Sequence, residues 1–457
     1  MSNLGFHTIY HRVSEFHGVR CIRVFYERKG DILSPEFFDP FKKGIFLSTG
    51  VNLKDFDAIF FSVSYEIDYL NLVRMLSESG FSPLSRNRQK DDPPVIIGGI
   101  VPSSNPEIAG AFADIVYRGE LPGDGFAVLE LLFKYRFRKT SELYDELSKI
   151  SGVYIQGVTS KIPPPVLNEV IKVPAHSVIV TPDTQFSNMF LIEIARGCKS
   201  SCTFCLARYM AWRYREVSLD SILEILDVIP EGVKKVGLIA PLVSDHSGIF
   251  DLVDMINSKD CLVSFSSLRA DDFSEEFAKL LNKNGQKTVT FAPETGTARL
   301  RSMIGKSLKN DSILRSVEIA FKNRIKKIRL YFMYGLPGEK QEDIDSIVSM
   351  AEEISNIAKG YRGEVFLSIN QFVPKRLTPL ETVKPHPLIY YEEVRSYLND
   401  RLSGLGNTSF KFESLRGFPI QYFISVGDKK YAEILVDSAE KGSFKIFREL
   451  YRERFGG

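Results

Sequence analysis

Ile194-Ala195-Arg196-Gly197-Cys198-Lys199-Ser200-Ser201-Cys202-Thr203-Phe204-Cys205 sets three of the chain's five cysteines within eight residues, at the end of an apolar run, Leu191–Ala195, that reads as a strand. The other two, Cys21 and Cys261, stand alone. An odd number of cysteines in a long chain, behind a Met1–Tyr10 start with no apolar signal-like stretch, does not describe a disulfide framework. Three thiols this close point to a metal or iron–sulfur site in a reducing compartment. A cubane cluster has four irons and is normally held by four thiolates. Three thiolates leave one iron open, and the amino and carboxylate groups of an amino acid would chelate it well. Gly197, Ser200 and Ser201 are small enough to let the loop wrap closely. Structural zinc competes with this reading; it needs a fourth Cys or His, for which His246 and His176 are available.

Working outward, strand and helix patterns alternate with a regular beat. Candidate strands are Leu191–Ala195, Val236–Ile239, Val263–Ser266, Thr288–Ala292, Ile328–Met333 and Val365–Asn370, with helical stretches such as Leu219–Asp227, Glu275–Leu281 and Glu342–Ile357 between them. Six β/α units predict a curved parallel sheet, a partial (β/α)6 relative of the TIM barrel, whose site lies where the strands end. The cysteines fall at that end. On the amino side, apolar runs Cys21–Tyr26, Ala58–Val63, Val95–Ile100 and Ile115–Tyr117 alternate with helical patterns and predict a doubly wound, Rossmann-like sheet. Gly98-Gly99 and Arg118-Gly119-Glu120 follow two of its strands, where glycine permits close approach or an ordinary tight turn. The proline-rich stretch between the two reads as a linker, and the end of the chain as a small α+β cap with short strands near Thr408–Glu413 and Ile420–Val426. The expected organisation is 1–160, 161–186, 187–381 and 382–457 for the four parts. A chain of 457 residues exceeds what one core supports, about 250–300 residues.

Lys and Arg total 59 against 57 Asp and Glu, a net charge of +2, so no overall field draws the chain onto nucleic acid or an anionic membrane. Apolar runs fall far short of the ~20 residues that span a bilayer. The expectation is a cytoplasmic protein with neither membrane nor nucleic acid as partner.

The Cys-x3-Cys-x2-Cys pattern at 198, 202 and 205, with Phe204 before the last cysteine and six β/α units after it, resembles the radical S-adenosylmethionine (SAM) superfamily. Phe291-Ala292-Pro293-Glu294-Thr295-Gly296, Tyr334-Gly335-Leu336-Pro337-Gly338-Glu339 and Gln371-Phe372-Val373-Pro374-Lys375 look like segments of the subgroup that carries an N-terminal cobalamin-binding domain. Ile97-Gly98-Gly99, Ala113-Asp114 and Gly119-Glu120 are similar to that domain. The resemblance covers about 1–380 and is close to uncharacterised, often archaeal members. It implies a [4Fe-4S] cluster on the three cysteines, SAM chelated at the open iron, and reductive cleavage to a 5′-deoxyadenosyl radical. It further implies an electron-donor protein, flavodoxin or ferredoxin, and a substrate that the sequence does not name.

Within this resemblance Phe204 is expected near the adenine, with Gly335 and Gly338 letting the fifth loop approach it. Glu294 is a candidate for a ribose or ammonium contact, or else the cap of the next helix. Arg269 suits the methionine carboxylate, although an ion pair with Glu294 or Asp271 explains it equally. Lys375 is a further candidate for SAM or substrate. Two departures stand out. The Gly-Gly-Glu segment that often holds the SAM ammonium is replaced by Ala240-Pro241-Leu242-Val243-Ser244-Asp245-His246, where Asp245 either offers an acceptor or is a solvated turn acid. The loop Arg28 to Pro40 has no histidine, which argues against cobalamin with a protein axial ligand. The first domain then either cradles cobalamin without one, serving methyl transfer, or is a degenerate docking module. Two alternatives differ in class. Methylthio transfer to tRNA would need a second cluster, for which the first domain has only Cys21, and a cluster-bearing redox sensor or binding protein would not respond to SAM.

Overall fold

A computed structural model describes residues 3–26, 32–34, 48–49, 52–121 and 126–456. The chain forms two compact units, Asn3–Asn168 with Pro419–Leu450, and Glu169–Phe418 with Tyr451–Gly457. The stretch 382–457, expected as one cap, is therefore divided between them.

In the first unit, strands β1 (Ile59–Ser62), β2 (Val95–Gly98) and β3 (Ile115–Tyr117) are parallel, and β4 (Val153–Tyr154) joins β3 antiparallel. Val95, Ile96, Ile97, Ile115 and Val116 are all buried, which is why these strands read as continuous apolar runs rather than alternations. The helix Asp68–Glu78 buries Leu70, Leu72, Val73 and Leu76 at helical spacing. Of the expected strand Cys21–Tyr26 only Phe25–Tyr26 is extended, and it pairs antiparallel with Ile32–Ser34 outside this sheet. Most of the loop Arg28 to Pro40 lies outside the described residues. Ile420–Val426, expected as a strand, is part of the helix Phe418–Val426. Ile420, Gln421, Phe423, Ile424 and Ser425 are all buried, and a short run buried on every side carries no periodicity that separates helix from strand.

In the second unit, β5 (Phe190–Glu193), β6 (Lys235–Ile239) and β7 (Leu262–Phe265) form one parallel sheet in the order β7-β6-β5. A second parallel sheet runs β8 (Thr288–Glu294), β9 (Lys327–Tyr334), β10 (Glu364–Gln371) and β11 (Thr408–Phe412). All six expected strands are present, but the ladder is broken between β7 and β8. The reason is local. Val263 N–H donates to Asn284 Oδ1 at 2.8 Å and Phe265 N–H to Gln286 Oε1 at 2.9 Å, while Gln286 Nε2 donates to the carbonyls of Phe265 and Thr288. Two amide side chains thus take the backbone groups that a neighbouring strand would have taken.

The intervening helices start where the sequence signals them. Ser218, Ser274 and Thr297 accept from the N–H groups of Ser221, Phe277 and Leu300, N-caps worth about 1 kcal/mol each. Along β9, Ile328, Leu330, Phe332 and Tyr334 are fully buried while Lys327, Arg329, Tyr331 and Met333 are only half-buried, so one face meets the helices and the other is left to the site. Among the described residues no helix is long and apolar enough to cross a membrane.

Candidate active site

The cysteine loop leaves β5 through Ala195–Arg196, which pairs antiparallel with Arg215–Glu216. Gly197 follows at φ +75, and a Cβ there would lie 2.2 Å from the carbonyl oxygen of Arg213 and 2.5 Å from that of Ala211. Only glycine fits. On the other side, the turn after the helix Ala298–Met303 is clamped to the loop: Thr203 N–H donates to Ile304 O and Ser201 Oγ to Gly305 O, each at 2.9 Å. Gly305, at φ +73, comes so near that a Cβ would sit 2.3 Å from Ser201 O.

This clamp brings Lys306 beside the thiols. Burial pushes the Cys202 thiol up to about 11; the Lys306 ammonium opposes that shift, while Glu294 and the other two cysteines reinforce it. Burial also raises Cys205, again with Cys198 and Glu294 contributing. Cys198, Cys202 and Cys205 thus lie near enough to influence one another, with Cys202 the buried one, and iron binding there would displace protons from the thiols. Among the described residues no three His, Cys, Asp or Glu side chains converge at single-ion distance. Thiolates that each bind a different iron of a cluster do not have to. The zinc reading loses one proposed ligand, because His246 is buried with Nε2 on Val217 O at 3.0 Å and Nδ1 accepting from Gly248 N–H at 3.2 Å.

Glu294 ends β8 in the left-handed region, φ +69, and its carboxylate pairs with Lys306 at 2.9 Å. A non-glycine residue held there costs about 1–3 kcal/mol, strain that tends to persist at functional positions. Arg269 pairs with Asp271 at 2.6 Å rather than with Glu294, reaches Ser200 Oγ of the cysteine loop at 3.4 Å, and stands 4.0 Å from Asp245. Asp271 is the main reason its guanidinium is held above its ordinary value. Asp245 is buried, its carboxyl raised mainly by desolvation, and its Oδ2 has no hydrogen-bond partner among the described residues. Lys199 lies over the Tyr214 ring at 4.4 Å and donates to Asp245 O at 2.8 Å.

Phe204 packs against Leu300, Ile304, Leu336 and Phe372, so the cysteine loop and the segments after β8, β9 and β10 meet in one apolar group. Lys375 lies beyond β10, with its carbonyl accepting from Thr378 N–H and Oγ1. Gly335 has φ +80, but a Cβ there would strike the Tyr391 ring at 2.4 Å, so its close approach is to the chain itself; at Gly338 the obstacle is Met303 Cε at 2.7 Å. Behind this turn Glu339 accepts from Gly335 N–H at 2.7 Å and Tyr390 O–H at 2.5 Å, and burial pushes its carboxyl up to about 7. The sequence assigns no role to Lys306, nor to Glu339 beyond its place in the Tyr334–Glu339 segment. Ile304-Gly305-Lys306 reads as any turn, and nothing local in it announces the contact with residues 201–203.

Two family models match, "Radical SAM proteins, N-terminal" over residues 5–156 and "Radical SAM superfamily" over residues 192–351. An uncharacterised protein of Methanocaldococcus jannaschii is 28% identical over 400 residues, 85% of this chain and 82% of that one. An uncharacterised methyltransferase of Pyrococcus horikoshii is 25% identical over 285 residues, 57% of this chain and 58% of the other. The solved structure of the cobalamin-dependent SAM radical enzyme OxsB aligns with a TM-score of 0.47 at 14% identity, over 85% of this chain and 53% of that chain. The two family models together span most of the chain, the second of them over Cys198, Cys202 and Cys205, and the chain belongs to the radical SAM superfamily.

Proposed function

We propose that this radical SAM enzyme holds a [4Fe-4S] cluster on Cys198, Cys202 and Cys205 and uses it to cleave SAM reductively, so that hydrogen is abstracted from a substrate. The observation that carries this reading is that one short loop holds three thiols near enough to influence one another, with the Lys306–Glu294 pair beside the buried Cys202. When bound, the cluster and SAM supply one-electron cleavage of the sulfonium to methionine and a 5′-deoxyadenosyl radical.

The chain's own residues bind and orient. Asp245 Oδ2, buried and unpartnered, accepts from the SAM ammonium in place of the missing Gly-Gly-Glu segment. Arg269, 4.0 Å from Asp245, faces the adjacent carboxylate while Asp271 fixes its plane. A zwitterion needs this neighbouring acid and base. Glu294 serves the ribose, and Phe204, with Leu336 and Phe372, provides the apolar slot for adenine. Lys306 offsets the negative charge that builds on a thiolate-ligated cluster when it is reduced. Lys375 is assigned to the substrate side. Arg208 stacks on the exposed Trp212 at 4.7 Å just after Cys205, a basic aromatic surface suited to an acidic electron donor such as flavodoxin or ferredoxin.

The test is anaerobic reconstitution followed by electron paramagnetic resonance and product analysis with dithionite and SAM. A SAM-dependent change in the cluster signal, with methionine and 5′-deoxyadenosine formed, is expected. A cluster signal blind to SAM and no products would refute the assignment and leave a redox sensor.

A further inference from the structure

The carboxyl end of the first unit's sheet is where a corrinoid would have to sit, because open parallel sheets bind ligands there, at a reversal of strand order. Among the described residues the order is β1-β2-β3-β4, following the chain without reversal. The two glycines that would admit a corrin admit the chain instead. A Cβ on Gly99, φ +117, would be 2.3 Å from Val63 O, and one on Gly119, φ +104, would be 2.2 Å from Val166 O. Val166 is tied in by reciprocal bonds, its N–H to Arg118 O at 3.0 Å and its carbonyl accepting from Glu120 N–H at 2.9 Å.

Several polar groups at this end are equally committed. Arg118 donates twice to Ser103 O, at 2.9 and 2.6 Å, and Gly119 N–H donates to Ser103 Oγ. Asn105 Nδ2 donates to Ile424 O at 2.7 Å and Gly427 O at 2.9 Å. Glu66 accepts from Ser425 Oγ at 2.9 Å, and the Tyr65 hydroxyl accepts from Gln421 Nε2. Ile424 is fully buried, with Gln421, Phe423 and Ser425 at 4, 1 and 2% exposure. Residues 419–427 therefore cover the loops that follow β1 and β2, and the helix Tyr431–Lys441 continues along Asp68–Glu78 and Pro106–Phe112.

From this closed edge we infer that the first unit takes up no corrinoid: its carboxyl-end loops are covered by the chain's own residues 419–427, and chemistry at the cysteine loop proceeds without cobalamin. The described residues do not fit cobalamin, and of the two possibilities the resemblance left open they favour the degenerate module. A methyl group passed through cobalt is therefore not part of this enzyme's reaction.

The full chain, reconstituted anaerobically, is incubated with excess hydroxocobalamin or methylcobalamin, desalted, and analysed for cobalt and for amide hydrogen exchange. No cobalt above background, and unchanged protection over 62–66, 98–105, 118–120 and 419–427, are expected. Asn105→Ala, which loosens the cover, is expected to melt earlier and still hold no cobalt. Stoichiometric cobalt on the wild type, loss of protection at 419–427 on adding cobalamin, or cobalt on Asn105→Ala alone would overturn the inference, the last by exposing a corrin site under a lid. SAM cleavage at equal rate with and without cobalamin is also expected, and a requirement for cobalamin overturns the inference. The cobalt reading does not depend on SAM cleavage, whose complete absence would count against the cluster assignment alone.

Discussion

Gly305→Ala tests whether the lysine-bearing turn really holds the cysteine loop. The added Cβ would stand 2.3 Å from Ser201 O, 3.0 Å from its carbonyl carbon and 3.5 Å from Cys202 Cα. Non-bonded contacts settle near 3.5 Å, so turn and loop must part by about 1 Å. Overpacking of this kind costs about 1–3 kcal/mol. Parting also weakens two hydrogen bonds, Thr203 N–H to Ile304 O and Ser201 Oγ to Gly305 O, at about 1 kcal/mol each. Left-handed backbone adds about 1–2 kcal/mol for any residue with a Cβ. That last part is separable, because Gly232 in the same unit has φ +84 and nothing within 4 Å. Gly232→Ala therefore carries the backbone strain without the collision. Iron per chain after reconstitution and thermal unfolding are the two measurements. Gly232→Ala should keep its iron and lose about 1–2 kcal/mol; Gly305→Ala should lose about 2–4 kcal/mol more and fail to hold a full complement of iron. Equal iron and equal melting in the two variants would refute the clamp.

Two further perturbations read the charges. Lys306→Met should lower the cluster's reduction midpoint by some tens of mV, since a unit charge beside a partly buried one is worth about 1 kcal/mol or more, and Lys306→Arg should restore most of it; a midpoint that stays put while only melting changes would reduce Lys306 to a partner of Glu294. Glu339 is an acid raised by burial from 4.5 to about 7, so the folded chain retains its proton across that window and the unfolded chain does not. Stability should fall by about 2–4 kcal/mol as pH rises from 4.5 through 7, and Glu339→Gln should flatten that slope while still accepting from Tyr390 and Gly335; a wild-type melting temperature level across the window would contradict the burial argument.

The strands were legible because their burial is written locally. Val95-Ile96-Ile97, sandwiched on both faces, is a continuous apolar run, and Ile328-Arg329-Leu330-Tyr331-Phe332, buried on one, alternates. What the sequence hid lies in contacts between distant segments. Asn284 and Gln286 look like turn residues after a helix, yet their amides occupy the edge of β7 and divide the expected curved sheet. Ile420–Val426 is apolar enough for a strand; its helical state and its place in the first unit follow from partners such as Asn105, 319 residues away. No local pattern encodes a partner at that distance.

The same distinction governs the site. Three cysteines with a fixed spacing declare themselves because one short loop must present all of them to one group. Glycine is a weaker sign, since it reports that a Cβ would collide but not with what. Gly335 is expected to make room for adenine, and Gly99 and Gly119 are open to a close ligand or an ordinary turn; the neighbours are the Tyr391 ring and the backbones of Val63 and Val166. At Gly305 the identical signal marks the contact that carries Lys306 to the thiols. Four glycines at positive φ thus differ in function only through the identity of the atom that faces them. It follows that an account of cofactor binding built on glycine motifs needs that atom before it can name a ligand, and here the atoms facing the first unit's glycines belong to the chain, while the cysteine loop of the second keeps three thiols together near an acid, Asp245, whose Oδ2 has no hydrogen-bond partner among the described residues.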